Sequence, residues 1–241
     1  MFKTSEESEV VLISSGGDDW MPVTAARVSF GRDLTTKRDE ARDKKLMKYL
    51  ADHKHMSCFE HQTATFMIEC PLFVRSQIHR HRAMAFNEIS RRYTEENLEF
   101  WIPTTFRGQA SDNKQASEGE LNPLGFTEFC GWDKDEENIP QLAFPSSTGS
   151  NAYTMYEYAV HHARLRYLEM LENGVSREQA RSLLPQSLLT RFYATANLRN
   201  WAHFLELRLD AHAQREVQIV AEKVSKQLHE LWPNSMEAIG L

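Results

Sequence analysis

Residues 80–93 are the most unusual part of the chain, and they read Arg-His-Arg-Ala-Met-Ala-Phe-Asn-Glu-Ile-Ser-Arg-Arg-Tyr. Four arginines and one glutamate give this segment a formal charge of +3, whereas the whole protein carries −6. The planar guanidinium of arginine binds phosphate oxygens through two parallel hydrogen bonds. The segment therefore predicts a site for a small, multiply charged anion rather than a surface for long polyanions.

Phosphate binding by a glycine-rich loop is not expected, because the chain has only ten glycines and neither a Gly-x-Gly-x-x-Gly nor a Walker sequence. Side chains must then supply the positive charge. The arginines outside ordinary amphipathic helices form three groups: Arg80 with Arg82, Arg91 with Arg92, and Arg181, Arg191, Arg199 and Arg208. Surface ion pairs are the simpler interpretation for Arg164, Arg166 and Arg177, which lie in such helices.

Composition narrows the class of protein. Hydrophobic residues at 41% and charged residues at 26% are typical of a globular enzyme. A pI near 5.9 argues against a nucleic-acid partner. The sequence contains no apolar run of about 18 residues, so no membrane-spanning helix is expected. The acidic N-terminus lacks the apolar core of a secretory signal. An odd number of cysteines at unrelated spacings indicates reduced thiols and a cytoplasmic location.

The elements that must position the arginines follow from hydrophobic periodicity and turn residues. Strands are expected at residues 10–13, 63–70 and 188–196. Helices are expected at residues 24–30, 37–53, 72–81, 151–172, 176–184, 197–209 and 212–231. Residues 108–150 are rich in Gly, Ser, Asn, Pro and acids, which predicts a long loop insertion. With no repeat or linker, the chain is expected to form one α+β domain over residues 1–241.

Two local expectations concern helix geometry. On a helix over residues 72–81, Phe73, Gln77 and Arg80 would share one face, as would Arg75, His79 and Arg82. The sequence Ser-Arg-Glu-Gln at residues 176–179 has the form of a capping box, which predicts a helix start there.

The order Arg80-His81-Arg82, seven residues and Ser90, with Asn87-Glu88 inside, resembles the motif of the flavin-dependent thymidylate synthases. Further stretches resemble that family over about two-thirds of the chain, in the same order, at residues 53–61, 73–80, 181–185, 190–192, 197–199 and 207–214. Residues 108–150 are not covered. Ala85 stands where the commonest form of the motif has serine, and His203 where some members have asparagine.

The resemblance implies a fold and an activity. The fold would be a single α+β domain with a mixed sheet and flanking helices. The enzyme would be a methyltransferase that converts deoxyuridine monophosphate (dUMP) to thymidylate (dTMP). Methylenetetrahydrofolate would donate the carbon, FAD reduced by NADPH would supply the hydride, and no protein nucleophile would be used. Homotetramers with shared active sites are also implied.

The same resemblance assigns site residues. FAD would contact Ser57, Arg80, His81, Arg82, Glu88, Asn197, Leu198, Arg199 and His203. The nucleotide dUMP would contact Gln77, Arg80, Glu88, Ile89, Ser90, Arg91, Arg92 and Arg181, and the catalytic Arg208 would face its uracil ring.

Two other function classes are open. A metal-dependent hydrolase could use His53, His55, Cys58, Glu60 and His61, since imidazole, thiolate and carboxylate are zinc ligands, but Cys-x-x-Cys and His-Glu-x-x-His are absent. An RNA-binding module could stack bases on Phe86 and Tyr93, although the net charge is acidic.

Nucleophilic catalysis by a protein side chain is not expected. Apolar neighbours of Cys70 should bury it and raise its thiol pKa. Ser90 is followed by two arginines rather than by a base. His81 should be a poor base because nearby cations lower its pKa.

Overall fold

The computed structural model describes residues 2–29, 31, 38–111, 117–121 and 152–241. Contacts group the chain into two compact units: Met1–Trp101 with Gln186–Leu241, and Ile102–Pro185. Their elements in chain order are β1 (Phe2–Lys3), β2 (Val10–Gly16), α1 (Met21–Val28), α2 (Glu40–Asp52), a 3-10 helix (Met56–His61), β3 (Thr63–Pro71), α3 (Leu72–Ile78), β4 (Ala85–Glu88), β5 (Phe100–Trp101), β6 (Arg107–Gln109), β7 (Ser117–Glu120), α4 (Ala152–Glu172), α5 (Arg177–Ala180), a 3-10 helix (Arg181–Leu183), β8 (Leu189–Asn197), α6 (Leu198–Arg208), α7 (Arg215–Leu231) and α8 (Pro233–Ile239).

The first unit is built on a four-stranded antiparallel sheet in the order β2–β3–β8–β4. Strands β3 and β8 pair along their whole length, from Thr63 opposite Asn197 to Pro71 opposite Leu189. A separate pair, β1 with β5, is parallel. The α+β class with both kinds of strand pairing and flanking helices is confirmed.

Alternation along the strands sends one set of side chains into the core. Phe66 and Ile68 of β3 and Phe192 of β8 are fully or almost fully buried. They pack in one cluster with buried residues of α6 and α7, among them Trp201 and Val220. The opposite face carries exposed apolar side chains, with Val11 and Ile13 of β2 and Tyr193 of β8 each more than two-fifths exposed. The sheet therefore buries one face within the unit and leaves the other open.

Helix α3 is shorter than the sequence pattern predicts. It ends at Ile78, and His81 donates its backbone N–H to the Ile78 carbonyl oxygen at 3.0 Å, which closes a tight turn. The chain turns here because β4 must return antiparallel beside β8. The prediction that Arg80 and Arg82 lie on helical faces with Gln77 and Arg75 was therefore wrong.

The helix predicted at residues 176–184 is also different. Ser176 makes no side-chain capping bond, α5 covers only Arg177–Ala180, and the 3-10 helix Arg181–Leu183 follows. The backbone carbonyl of Ser176 accepts the N–H groups of Gln179 and Ala180 instead. The predicted capping box was wrong, since backbone bonds replace the serine hydroxyl.

Residues 108–150 fall mostly outside the described part of the chain. The described portion contains β7 and most of β6, which pair antiparallel in the second unit, so this stretch is not entirely loop. The insertion, and the single domain over residues 1–241, stay predictions.

In the parts of the chain that the structure describes, no helix combines the length and the apolar character that crossing a membrane requires.

Candidate active site

A surface cavity of about 260 Å³ lies in the first unit, beside the turn that follows α3 and the second half of α6. It is lined by Arg80, His81, Arg82, Ala83, Met84, Asn200, His203, Leu207 and Arg208. Five of these nine are predicted site residues, and they come from two segments more than a hundred residues apart. The fold thus brings four of the nine predicted FAD contacts, Arg80, His81, Arg82 and His203, to one cavity with the predicted catalytic Arg208.

Arg208, in the last turn of α6, is held at two of its nitrogens. Its Nε donates to His81 Nε2 at 3.2 Å, and its Nη2 donates to the Gln77 carbonyl oxygen at 3.3 Å. Burial lowers the pKa of the Arg208 guanidinium from its ordinary value. The remaining N–H groups form a preorganised set of donors beside the cavity.

His81 is buried beneath this arginine and joins a series of edge-to-face rings. Its ring lies 5.1 Å from that of Phe204, which lies 5.7 Å from Trp201, which in turn lies 5.1 Å from Phe66. Burial, with Arg208 and then His203 nearby, lowers the pKa of His81 to about 4. The prediction of a poor base is confirmed, but burial is the largest cause and the cation is Arg208, not Arg80 or Arg82. A neutral His81 can accept the Arg208 hydrogen bond.

Arg80 and Arg82 are both exposed at the rim of the cavity. Within the described ranges neither guanidinium has a carboxylate at ion-pair distance or a hydrogen-bond partner. Two unpaired guanidiniums at one cavity of an acidic protein form a positively charged site suited to phosphate groups.

Sequence reasoning missed Asn200. Its side-chain Nδ2 donates to the Ala83 carbonyl oxygen at 3.0 Å, which ties the arginine turn to α6. Its backbone N–H donates to the Asn197 side chain, which caps the helix. The only signal was its place next to Arg199 in the matched Asn-Leu-Arg stretch. Met84 and Leu207, apolar lining residues, gave no signal.

Apart from Glu88, which ends β4, the other predicted FAD residues lie at the start of α6 and on the 3-10 helix Met56–His61. Arg199 is ion-paired with Glu60, and Ser57 is exposed. Leu198 is fully buried in the core, and its backbone N–H donates to the Gln62 carbonyl oxygen at 2.8 Å. Leu198 therefore faces the core rather than solvent.

Glu88 lies at the end of β4, where the nucleotide-binding segment is predicted to begin. Arg75 Nε lies 3.1 and 2.9 Å from its two carboxylate oxygens, and the Thr190 hydroxyl donates to Oε1 at 2.6 Å. Ile89, which follows, donates its N–H to the Arg191 carbonyl oxygen at 2.9 Å. Arg75 and Thr190 were not among the predicted site residues.

The segment after Ile89 presents Ser90 and Arg92, but Arg91 is bound within it. Arg91 is buried, and it donates to the backbone carbonyl oxygens of Glu96 at 2.5 Å and Asn97 at 3.1 Å. Ser90 Oγ accepts the Arg92 backbone N–H at 3.3 Å. Arg91 thus shapes this loop.

Gln77 on α3 is half-buried, and its side-chain Nε2 donates to Gln214 Oε1 at 2.5 Å. Arg181 belongs to the second unit, where it starts the 3-10 helix Arg181–Leu183 with an exposed side chain.

The thiols of the described residues are poor nucleophiles. Cys70 is fully buried in the core, and burial raises its pKa far above the ordinary value. Burial also raises the pKa of Cys58. Cys130 lies outside the described residues.

The histidines of residues 53–61 do not converge on a metal. The rings of His53 and His55 stack with that of Tyr49 at interplanar angles of 29° and 28°, and the His53 and His55 centroids are 6.4 Å apart. Among residues 2–29, 31, 38–111, 117–121 and 152–241, no group of three or more His, Cys, Asp or Glu side chains could hold a metal ion.

Comparison with known proteins assigns the family. Residues 11–234 match the profile of the family described as thymidylate synthase complementing protein. A flavin-dependent thymidylate synthase of Thermosipho africanus is 37% identical over 239 residues, which cover 98% of this chain and 92% of that protein. The chain belongs to the flavin-dependent thymidylate synthase family.

Another member of the flavin-dependent thymidylate synthase family, from Thermus thermophilus, is 39% identical over 224 residues, covering 93% of this chain and 72% of its own length. A solved structure of the UMP/dUMP methylase PolB from Streptomyces cacaoi, bound with 5-Br dUMP, superposes with a TM-score of 0.77 at 29% identity. It covers 98% of this chain and 95% of that chain. PolB has also been solved with 5-Br UMP, at a TM-score of 0.76.

Proposed function

We propose that this protein is a flavin-dependent thymidylate synthase. It converts dUMP to dTMP, with methylenetetrahydrofolate as the carbon donor and NADPH as the reductant of FAD. The observation that carries this proposal is the cavity where Arg80, Arg82 and Arg208 meet around the neutral His81. It functions as a cytoplasmic enzyme without a nucleic-acid partner.

The donor set at the cavity fits FAD. The cofactor carries two phosphates, and Arg80 and Arg82 offer two guanidiniums of the required sign that have no partner among the described residues. When bound, FAD supplies the hydride, which no amino-acid side chain can provide. Ser57, His81, Glu88, Asn197, Leu198, Arg199 and His203 complete its proposed contacts. Leu198 would contribute by fixing the start of α6, because its side chain is in the core and its backbone N–H is bonded to the Gln62 carbonyl oxygen.

Arg208 is the proposed catalytic residue for dUMP. A guanidinium whose Nε and Nη2 are already bound has little freedom to reorient. Its free donors can stabilise a uracil ring deprotonated at nitrogen 3, which polarises the adjacent double bond. Preorganised charge in a site sheltered from water contributes several kcal/mol to such a step.

The phosphate of dUMP is assigned to Ser90, Arg92 and Arg181, which would orient the ring for reaction. Gln77, Arg80, Glu88, Ile89 and Arg91 complete the proposed nucleotide contacts. Arg91 would act through the loop conformation that its bonds to Glu96 and Asn97 maintain.

No protein nucleophile is required in this scheme. Cys70 is shielded by the core, and burial disfavours its thiolate. Ser90 uses its hydroxyl oxygen to accept the Arg92 N–H, as expected of a structural or phosphate-binding serine.

A homotetramer is part of the proposal. A cavity of about 260 Å³ is small for a dinucleotide, since small-ligand pockets usually measure about 300–1,000 Å³. The open sheet face bearing Val11, Ile13 and Tyr193 offers an apolar surface for another copy. Residues from several subunits would then complete each site.

The test is an assay of purified protein with dUMP, methylenetetrahydrofolate and NADPH, after its absorption spectrum has been recorded. An oxidised-flavin band is expected, together with dTMP formation that stops when FAD is removed and returns when it is restored. Full turnover in flavin-free protein would contradict the proposal. UMP should be offered in parallel, because PolB is described as acting on both nucleotides.

A further inference from the structure

The Glu88 carboxylate is bound by side chains from two other elements. Arg75 comes from α3 and lies over both carboxylate oxygens, at 3.1 Å from Oε1 and 2.9 Å from Oε2 through its Nε. A second arginine nitrogen, Nη2, also donates to Oε2. Thr190 comes from β8 and donates its hydroxyl to Oε1 at 2.6 Å.

This arrangement uses most of the acceptor capacity of Glu88. A carboxylate has about four lone-pair sites on its two oxygens. Oε1 receives Arg75 Nε and the Thr190 hydroxyl, whereas Oε2 receives two nitrogens of Arg75. Little capacity is left for taking a proton from a ligand, so Glu88 is better suited to fixing the backbone than to acting as a base.

The position of Glu88 in the sheet shows which backbone would be fixed. Glu88 is the last residue of β4, and the Ile89 N–H makes one more bond to β8, at the Arg191 carbonyl oxygen. Beyond that bond the chain leaves the sheet as Ser90 and Arg92, the proposed phosphate contacts.

We propose that Arg75 and Thr190 are positioning residues for dUMP binding, acting through the carboxylate of Glu88 on the course of residues 89–92. This inference rests on the proposed function. Arginine suits the role because its fork spans both carboxylate oxygens, which lysine cannot do. The same pairing neutralises a carboxylate that would otherwise repel the nucleotide phosphate.

The test compares Arg75→Lys and Thr190→Val with wild type in the flavin-loaded enzyme. The KM for dUMP and its calorimetric dissociation constant should rise about tenfold, the scale for losing a hydrogen bond to a charged group. The kcat at saturating dUMP should change by less than about twofold, because the lost interaction serves binding rather than the transition state.

Matched controls separate positioning from general destabilisation. Arg27→Lys alters another part-buried arginine–carboxylate pair, with Asp43, and Thr195→Val removes a hydroxyl on the same strand that pairs with Thr65. Neither control should change the KM for dUMP. If Arg75→Lys does not fold, Thr190→Val alone decides the outcome.

A double-mutant cycle with Glu88→Gln tests whether Arg75 acts through Glu88. In that background, Arg75→Lys should weaken dUMP binding by less than about twofold more. An undiminished tenfold loss would show that Arg75 contacts the nucleotide directly and would overturn the proposal, as would an unchanged KM in both single variants. A wild-type protein that neither binds nor converts dUMP would instead overturn the proposed function.

Discussion

Two of the three Arg208 nitrogens are already bound, to His81 Nε2 and to the Gln77 carbonyl oxygen, before any ligand enters the cavity. This arrangement determines what a substitution removes. In Arg208→Lys the charge stays, but a single ammonium cannot hold both partners and also face the uracil ring. The rate of dTMP formation should fall by about two to three powers of ten, the scale for one preorganised donor.

Arg181→Lys is the matched comparison for this prediction. A lysine can still bind phosphate as a point charge, although it lacks the two parallel hydrogen bonds of arginine. Arg181→Lys should therefore mainly weaken nucleotide binding and raise the KM for dUMP. Flavin reduction by NADPH should be nearly intact in both variants. Flavin reduction and flavin oxidation would be measured as separate half-reactions. Equal defects of the affinity type in both variants would show that Arg208 is not the catalytic residue.

His81 should make the free energy of unfolding depend on pH. The pKa of His81 in the folded protein, about 4, lies below the ordinary value of 6.5. Between these two pH values the histidine is protonated in the unfolded chain but neutral in the folded one. The free energy of unfolding should therefore decrease as pH falls from about 6.5 to about 4, by at most about 3 kcal/mol. Above that window the contribution is complete.

The measurement is urea unfolding at pH 7 and pH 4.5. His81→Gln keeps an acceptor for Arg208 but does not titrate, so its unfolding free energy should change less between the two pH values than that of wild type. His61→Gln, at an exposed histidine, should behave as wild type does. The same pH dependence in His81→Gln as in wild type would assign the acid sensitivity to other groups.

At the scale of elements, helix α8 depends on a carboxylate more than two hundred residues away in sequence. Asp19 accepts the backbone N–H groups of Asn234 and Ser235, each at 2.9 Å, and the Asn234 side chain at 2.6 Å. Asp19→Ala should lower the free energy of unfolding by about 1–3 kcal/mol, because it leaves these donors without an acceptor.

The control for this prediction is Asp52→Ala, which removes an exposed pair with Lys48 and should cost less than about 1 kcal/mol. Denaturant midpoints of the two variants would be compared with wild type. Similar small shifts in both would mean that α8 does not need Asp19.

The capping of α8 also shows why some elements could be predicted from sequence and others could not. The sequence predicts β3 and α7 because their patterns of burial are long and regular. It misses α8, which is seven residues long and is capped by a distant side chain. It misses β4 because the four residues Ala85–Glu88 are extended only through pairing with β8.

The site follows the same division. Motif residues such as Arg80, Arg82 and Arg208 could be predicted from the family resemblance, and the fold brings them to one cavity. The contacts of Asn200 and Arg75 could not, because they depend on partners from other elements, Ala83 and Glu88. Side-chain contacts between different elements follow no fixed spacing along the chain, so a single sequence does not reveal them as a motif does.

At the scale of the whole molecule, the open face of the sheet is where assembly should be tested. Val11 is 44% exposed on this face, on the edge strand β2, and Val28, at the end of α1, is 67% exposed. A carboxylate at an apolar interface costs several kcal/mol unless it is paired. Val11→Asp should therefore reduce the proposed tetramer to smaller species, whereas Val28→Asp should not.

Light scattering coupled to size-exclusion chromatography would measure the mass of both variants, and a parallel assay would measure dTMP formation. Loss of the tetramer should be accompanied by loss of activity, because several subunits would contribute to one site. An active, stable monomer in wild type or in Val11→Asp would contradict the shared site.

The row of rings from His81 through Phe204 and Trp201 to Phe66 has an optical consequence. Trp201 is sealed from water in the core, and its indole N–H donates to the Ala64 carbonyl oxygen, so its emission should be blue-shifted. Only one phenyl ring separates it from the histidine that lines the cavity. An oxidised flavin bound there would absorb in the range where indole emits, and would quench the fluorescence of this tryptophan by energy transfer. Part of the emission of the five tryptophans should therefore decrease when the cofactor binds, which would report its occupancy.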